Sequence, residues 1–129
     1  LTPMQIPEQL RYSKDHEWAR QDATGITIGI TDYAQDALGD VVFVDLPAVG
    51  TKVEAGSPIG EVESTKSVSE IYAPVGGTIV SINDSLAHAP ESVNSDPYNT
   101  GWICTIAVEN HDEFNSLLDA AAYGDLTHH

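Results

Sequence analysis

One short stretch of this chain occurs twice. Residues 47–53 read Pro-Ala-Val-Gly-Thr-Lys-Val and residues 74–80 read Pro-Val-Gly-Gly-Thr-Ile-Val. Proline, glycine, threonine and valine return at matching places, at an offset of 27 residues (47 to 74). Each copy is a turn leading into a strand, because proline presets φ and glycine supplies the conformations that other residues resist. Two such units in so short a chain predict two sheet halves related by an approximate two-fold. The remaining patterns agree with a β fold. Ile26, Ile28 and Ile30 alternate with Thr27 and Gly29, the period of a half-buried strand. Residues 16–20 precede a turn at Asp22-Ala23-Thr24-Gly25 and should pair with that strand as a hairpin. Val41-Val42-Phe43-Val44 is apolar throughout, which predicts a strand buried on both sides. Trp102, Cys104, Ile106 and Val108 should share one face of a last strand.

Two helical pieces interrupt this pattern. Thr31-Asp32 can cap a short helix, with Gln35 at the capping-box spacing from Asp32 and Gly39 at the stop. A second helix is expected over about 112–123, where Phe114, Leu117, Leu118 and Ala121 fall at helical spacing and Gly124 offers an end. The chain has 129 residues, enough for one domain with a modest core. Residues 1–129 are therefore read as one domain, with its core over about 10–109. The terminal Thr127-His128-His129 plays no part in this reading.

Charge narrows the partners. Twenty Asp and Glu stand against five Lys and Arg, a net −15. Nucleic acid and anionic membranes would be repelled, since binding them requires basic side chains. Partners with basic docking sites would be attracted. No apolar run reaches the roughly 20 residues needed to span a bilayer, and no signal peptide is visible at residues 1–9. A single cysteine, Cys104, permits no internal disulfide. Cys104 could be a nucleophile with His16 or His88 as base, but its place on an apolar face favours an inert, buried thiol. His16, His88 and His111 lack zinc-ligand spacing, and Asn83-Asp84-Ser85 matches the glycosylation pattern by accident.

Only three lysines occur: Lys14, Lys52 and Lys66. Lys66 lies between the two copies, in Ser64-Thr65-Lys66-Ser67, where small polar residues between strand-like flanks predict a tight exposed turn. An exposed lysine by itself usually does nothing more than meet water. The setting here resembles the lipoyl and biotinyl carrier domains, in which the modified lysine sits at a hairpin tip between two quasi-symmetric halves. In those families a glutamate three residues before the lysine and a glycine eleven residues after it help the modifying enzyme recognise its target. Glu63 and Gly77 match those positions. Biotin carriers flank the lysine with methionines, whereas this chain has Thr65 and Ser67, so the resemblance favours lipoic acid as the covalently attached cofactor.

The likeness extends over about residues 10–122. Tyr12 with His16-Glu17-Trp18, Leu38-Gly39-Asp40-Val41-Val42-Phe43-Val44, Tyr72-Ala73-Pro74, and Val93-Asn94-Ser95-Asp96-Pro97-Tyr98 with Gly101-Trp102 together resemble the glycine cleavage H-protein family. Asn99 and Ser92 depart from the family pattern, and both are remote in sequence from Lys66. The resemblance implies a mainly β, barrel-sandwich hybrid of two small sheets with short helices and a C-terminal helix. It implies a carrier and not an enzyme: a lipoyl group on Lys66 takes an aminomethyl group from a pyridoxal-phosphate glycine decarboxylase. The carrier then yields that group to a tetrahydrofolate-dependent aminomethyltransferase and is reoxidised by a dihydrolipoyl dehydrogenase, after initial modification by a lipoyl-attaching enzyme. It also implies a cleft that shelters the loaded arm from water, with Glu17 and Glu70 holding the cationic amine and Asp15 behind them. A monomer is expected, in the cytoplasm of a bacterium or the mitochondrial matrix of a eukaryote. Two other readings stay open. One is a lipoyl domain of a 2-oxoacid dehydrogenase, although no Ala/Pro-rich linker is present. The other is a relative that relays lipoyl groups or only binds.

Overall fold

The computed structural model describes residues 4–127, so the His128-His129 end lies outside the described residues. Nine strands run in chain order: β1 (Arg11–Tyr12), β2 (Glu17–Asp22), β3 (Gly25–Ile30), β4 (Val41–Asp45), β5 (Lys52–Val53), β6 (Pro58–Ser64), β7 (Val68–Tyr72), β8 (Gly77–Ile82) and β9 (Cys104–Val108). Four short α-helices accompany them, α1 (Asp32–Leu38), α2 (Ser92–Ser95), α3 (His111–Asn115) and α4 (Ala120–Thr127), together with a 3-10 turn at Asp84–Ala87. One sheet has six strands in the order β1-β2-β3-β9-β8-β5, and the other has three in the order β4-β6-β7. Every pairing is antiparallel. The mainly β, two-sheet architecture with decorating helices is thus the one expected.

The repeated segments meet each other. Lys52 pairs with Thr78 and Val53 with Gly77, where β5 joins β8. Exchanging the two copies turns the pair Lys52–Thr78 into Ile79–Thr51, and the Ile79 N–H does donate to the Thr51 carbonyl at 2.9 Å. The register therefore maps onto itself, and the local two-fold passes between the copies. Gly77 is required here. Its φ is +155°, and a Cβ at this position would lie 2.1 Å from the Ala107 carbonyl oxygen.

The β2–β3 hairpin closes through the expected turn, pairing Asp22 with Gly25 and Glu17 with Ile30. Ile28 and Ile106 point into the main core between the sheets, fully buried, and each such side chain contributes on the order of 1.5–3 kcal/mol of transfer free energy. A second cluster of Leu10, Tyr12, Trp18, Tyr98 and Tyr123 forms on the other side of the six-stranded sheet. There the Trp18 indole occupies the space that a side chain at Gly29 would fill, and its N–H donates to the Pro97 carbonyl at 2.9 Å.

Four expectations are corrected. β3 is not half-buried: Thr27 is 3% exposed and Gly29 lies beneath the Trp18 ring, so Ile26–Ile30 are buried on both faces. β4 is not buried on both sides: Val42 and Phe43 are 54% and 51% exposed. β4 is an edge strand, and a register shift between Val41 and Phe43 leaves Val41 and Val44 as its inward residues. The C-terminal helix is two pieces, not one. Leu118 leaves the helical path to exchange both backbone hydrogen bonds with Tyr12, at 2.8 and 2.9 Å, and Gly124 lies inside α4 instead of ending it. Trp102 precedes β9 and packs against the aromatic cluster, away from the core that receives Cys104 and Ile106. α1 forms where expected, although with Thr31 as N-cap the capping-box position falls on Ala34, and Gln35 donates to the Asp32 side chain instead. Thr31 Oγ1 caps it by accepting from Ala34 N–H at 3.2 Å, and Gly39 ends it with φ +82°.

Candidate functional site

Lys66 stands at the tip of the β6–β7 hairpin, exposed. The tip closes by local bonds. Ser64 N–H donates to the Ser67 carbonyl at 2.8 Å, while Ser64 Oγ accepts from the Lys66 and Ser67 N–H groups at 3.2 and 3.1 Å. A short hydroxyl side chain that bonds backbone two and three residues ahead is the reason serine suits this turn. The tip is also tied down from outside, because Thr65 N–H donates to the Asp40 carbonyl at 3.0 Å. The Gly39–Val41 segment is itself fixed by Asn94 on α2. Asn94 Oδ1 accepts from Val41 N–H at 2.8 Å, and its amide donates to the Gly39 carbonyl at 2.9 Å and to Gln35 Oε1 at 3.0 Å. The Lys66 stem leans over Gly39, whose Cβ position would be 3.5 Å from Lys66 Cε. Its direction of lean is thus toward the C-terminal end of α1.

That end of α1 borders a cleft of about 300 Å³. Its apolar lining comes from Ile30, Leu38, Val62 and Ile71, and its polar lining from Asp15, His16, Glu17 and Glu70. Ser67, next to Lys66, lines it as well. The structure therefore brings Asp15, Glu17 and Glu70 to one cleft and sets Lys66 at its rim. The three carboxylates differ. Asp15 and Glu70 are exposed, while Glu17 is 2% exposed. Glu17 accepts from the Ser13 hydroxyl and, through Oε2, from the Tyr72 N–H at 3.1 Å. It thereby straps the six-stranded sheet to the three-stranded one. Burial pushes its carboxyl up to about 7 against the opposing pull of those two hydrogen bonds. Glu70, beside the Tyr72 hydroxyl, raises that phenol above its ordinary value.

Glu63 is half-buried in β6 and pairs with Phe43 on one side and Val68 on the other, so it lies on the outer face close to the tip. Gly77 is different: it is buried in β8, in the other sheet. What Gly77 can offer a modifying enzyme is the path of the backbone, since it presents no surface of its own. Cys104 is fully buried, and burial pushes its thiol up to about 12, in line with the inert reading. Asn83 is buried with its amide donating to the Thr100 and Trp102 carbonyls, both at 2.8 Å, so it is no glycosylation acceptor. Among the described residues no group of three or more His, Cys, Asp or Glu could hold a metal ion.

Tyr33, Leu38 and Ile30 in the cleft, Asn94 behind the tip and Tyr123 behind His16 had no assigned role from sequence. Tyr33 and Leu38 belong to α1 and Ile30 ends β3 just before it, but nothing local in the sequence indicates that this helix faces Lys66.

Comparison with known proteins places the whole chain. The family model described as Glycine cleavage H-protein matches residues 10–129. This chain belongs to the glycine cleavage H-protein family. It is 52% identical over 120 residues to the glycine cleavage system H protein of Anaeromyxobacter sp. (strain K), covering 93% of this chain and 94% of that protein. It is 56% identical over 124 residues to the one from Micrococcus luteus, covering 95% and 97%. The crystal structure of a glycine cleavage system H protein from Mycobacterium marinum superimposes with a TM-score of 0.83 at 41% identity, covering 93% of this chain and 97% of that one. As in that H-protein structure, the fold is mainly β with two sheets and short helices. No helix among the described residues is long and apolar enough to cross a membrane.

Proposed function

We propose that this member of the family carries lipoic acid in amide linkage on Lys66 and shuttles the aminomethyl group of glycine. The observation that carries this reading is the placement of Lys66, an exposed amine on a fixed tip that leans toward the rim of a cleft with an apolar lining and carboxylates. A hydrocarbon arm ending in a dithiolane suits that apolar lining, and a cationic amine suits Glu17, Glu70 and Asp15. When bound, the lipoyl group supplies a disulfide that opens to accept the aminomethyl carbon and a dithiol that can be reoxidised. The chain's own residues do the rest. The Ser64–Ser67 turn and the Thr65–Asp40 bond hold the attachment point. Ile30, Leu38, Val62 and Ile71 would exclude water from an arm lying in the cleft. Glu17 and Glu70 accept hydrogen bonds from the amine, and such charge-assisted bonds are about twice as strong as neutral ones. The chain contributes no bond chemistry of its own; it is the substrate of its partners.

Those partners are the pyridoxal-phosphate glycine decarboxylase, the aminomethyltransferase and the dihydrolipoyl dehydrogenase, with a lipoyl-attaching enzyme acting first. Glu63 near the tip is the side chain such an enzyme would touch, and Gly77 holds β8 in register with β5 and β9 in the other sheet. The net −15 favours docking against basic surfaces, and the bacterial relatives favour a cytoplasmic site of action.

Incubation with ATP, lipoate and a lipoate ligase, followed by intact mass, tests the attachment. A gain of one lipoyl group that is absent in Lys66→Ala is expected. No gain on folded protein would remove the carrier reading. The cleft is tested separately with a Glu17→Gln, Glu70→Gln double variant. Its aminomethyl-loaded form should decay in water faster than the parent's, and an equal rate would show that these carboxylates are only solvated.

A further inference from the structure

His16 sits in the cleft wall between Asp15 and Glu17, and it is the one described non-glycine residue with a positive φ, +70°. Its Nδ1 lies 2.8 Å from the hydroxyl of Tyr123, on α4. The same hydroxyl lies 2.7 Å from Thr31 Oγ1, the N-cap of α1. Tyr123 and Thr31 are 1% and 0% exposed, so water is not available to complete their hydrogen bonds. The direction of the chain then follows from counting protons. Thr31 Oγ1 already accepts from Ala34 N–H at 3.2 Å, which leaves its own proton to donate. Tyr123 oxygen is the partner within reach, and Tyr123 in turn donates to His16 Nδ1. In the reverse direction Tyr123 would donate to Thr31, and the Thr31 proton would be a buried donor without a partner, which carries the full desolvation penalty.

We infer that Tyr123 is a positioning residue, whose hydroxyl fixes His16 as the neutral tautomer with its proton on Nε2, so that the cleft carboxylates stay free for a cationic amine. This rests on the proposed role of the cleft as the shelter of the loaded arm. The groups around the ring are Asp15 and Glu17 on its own segment, Tyr33 tilted against it from α1 at 4.6 Å, Glu70 from β7 and Tyr123 from α4. Three of these are carboxyl groups. Asp15, the one that pulls on the ring, favours a second proton on the imidazole, and the resulting cation would compete with the cargo for the cleft carboxylates. A second proton must go to Nδ1, where it would force the one-way chain to reverse. Burial of the ring acts in the same sense, holding His16 below its ordinary value although Asp15 pulls it up. The C-terminal helix thus acts on the cleft through a single hydroxyl.

The test is long-range 1H–15N correlation on the 15N-labelled, lipoylated protein across a pH series. At pH about 7, above the ordinary histidine value of about 6.5, the parent should show His16 with a bare Nδ1 and a protonated Nε2. A proton on Nδ1 would overturn the proposal without any variant being needed. In Tyr123→Phe the titration midpoint of His16 should move up, and an unchanged midpoint would also overturn it. Thr31→Ser keeps both the cap and the hydroxyl, and should titrate like the parent. Decay of the aminomethyl-loaded form supplies the functional readout. Tyr123→Phe should lose its cargo several-fold faster than the parent at pH about 6, where a released histidine is charged, and at the same rate at pH about 8. Equal acceleration at both values would mean general loosening and would overturn the positioning role. If the Glu17→Gln, Glu70→Gln variant retains its cargo, the cleft reading fails instead, and the His16 titration still reports on the hydrogen-bond chain.

Discussion

The hairpin tip and the cleft beside it are neighbours built on opposite principles. The tip is made from one continuous stretch, β6 through β7, and its turn is closed by a single serine acting on residues two and three ahead. The cleft draws on residues 15–17, 30–38 and 62–71, and its walls are held by Tyr123 and by Asn94 from outside those segments. A local turn can tolerate the loss of one bond because solvent replaces it. A cleft assembled from distant pieces has buried polar groups that water cannot reach, so each loss there is felt in full. Attachment and shelter should therefore respond differently to mutation.

Four substitutions would sharpen or break that contrast, and they descend in expected effect. Gly77→Ala should cost about 3 kcal/mol or more, because it combines a positive φ with a Cβ thrust against the Ala107 carbonyl. Chemical denaturation checks this. An unchanged midpoint together with lost lipoylation would make Gly77 a surface contact and contradict its buried place. Glu17 should make stability depend on pH. Its carboxyl titrates near 7 when folded against about 4.5 for the free group, so the folded state binds more protons between those values. Stability conferred by the protonated form is then lost as pH rises through that window, by at most about 3 kcal/mol. Parent and Glu17→Gln should diverge as pH rises from about 5 to about 8, with the variant the more stable at the alkaline end. Parallel curves would mean that Glu17 is ionised throughout.

Asn94→Ala removes three hydrogen bonds behind the tip, two of them to backbone groups of Gly39 and Val41. A loss of about 2 kcal/mol is expected, together with chemical-shift changes at Asp40 and Thr65, the link by which the tip is anchored. If only α2 responds, the tip stands without its outside support. Ser64→Ala should cost the least, about 0.5 kcal/mol, with lipoylation continuing at a rate near the parent's. A collapse of lipoylation with stability intact would show that the turn's shape, and not just its lysine, is read by the modifying enzyme.

Legibility in the sequence followed the same division. The Thr31 cap, the Gly39 stop and the Ser64–Ser67 turn are all set by neighbours within a few residues, and each is readable; the Ile26–Ile30 alternation gives the strand but not its second buried face, which Trp18 covers. The apolar run at 41–44 misled because composition does not reveal an edge position or a bulge. Phe114, Leu117 and Leu118 kept helical spacing, yet Leu118 pairs with Tyr12, more than a hundred residues away in the chain. Asp15, Glu17 and Glu70 could be nominated by family likeness. That Glu17 is buried and bridges two sheets while Asp15 and Glu70 face water was invisible, since all three are simply acidic residues in an acidic chain. The sequence offers His16 as a base for Cys104, as a metal ligand and as part of a family segment, but nothing in it points to Tyr123 as its partner.

By itself the sequence determined the repeat, the hairpin with its lysine, and the family, because these depend on residue types at short spacing and on their order along the chain. Tertiary structure alone decided that the two copies pair with each other, that Lys66 leans over Gly39 toward a cleft, and which hydroxyl touches His16. Those outcomes depend on packing between segments far apart in sequence, where burial removes water and makes the identity of each hydrogen-bond partner matter.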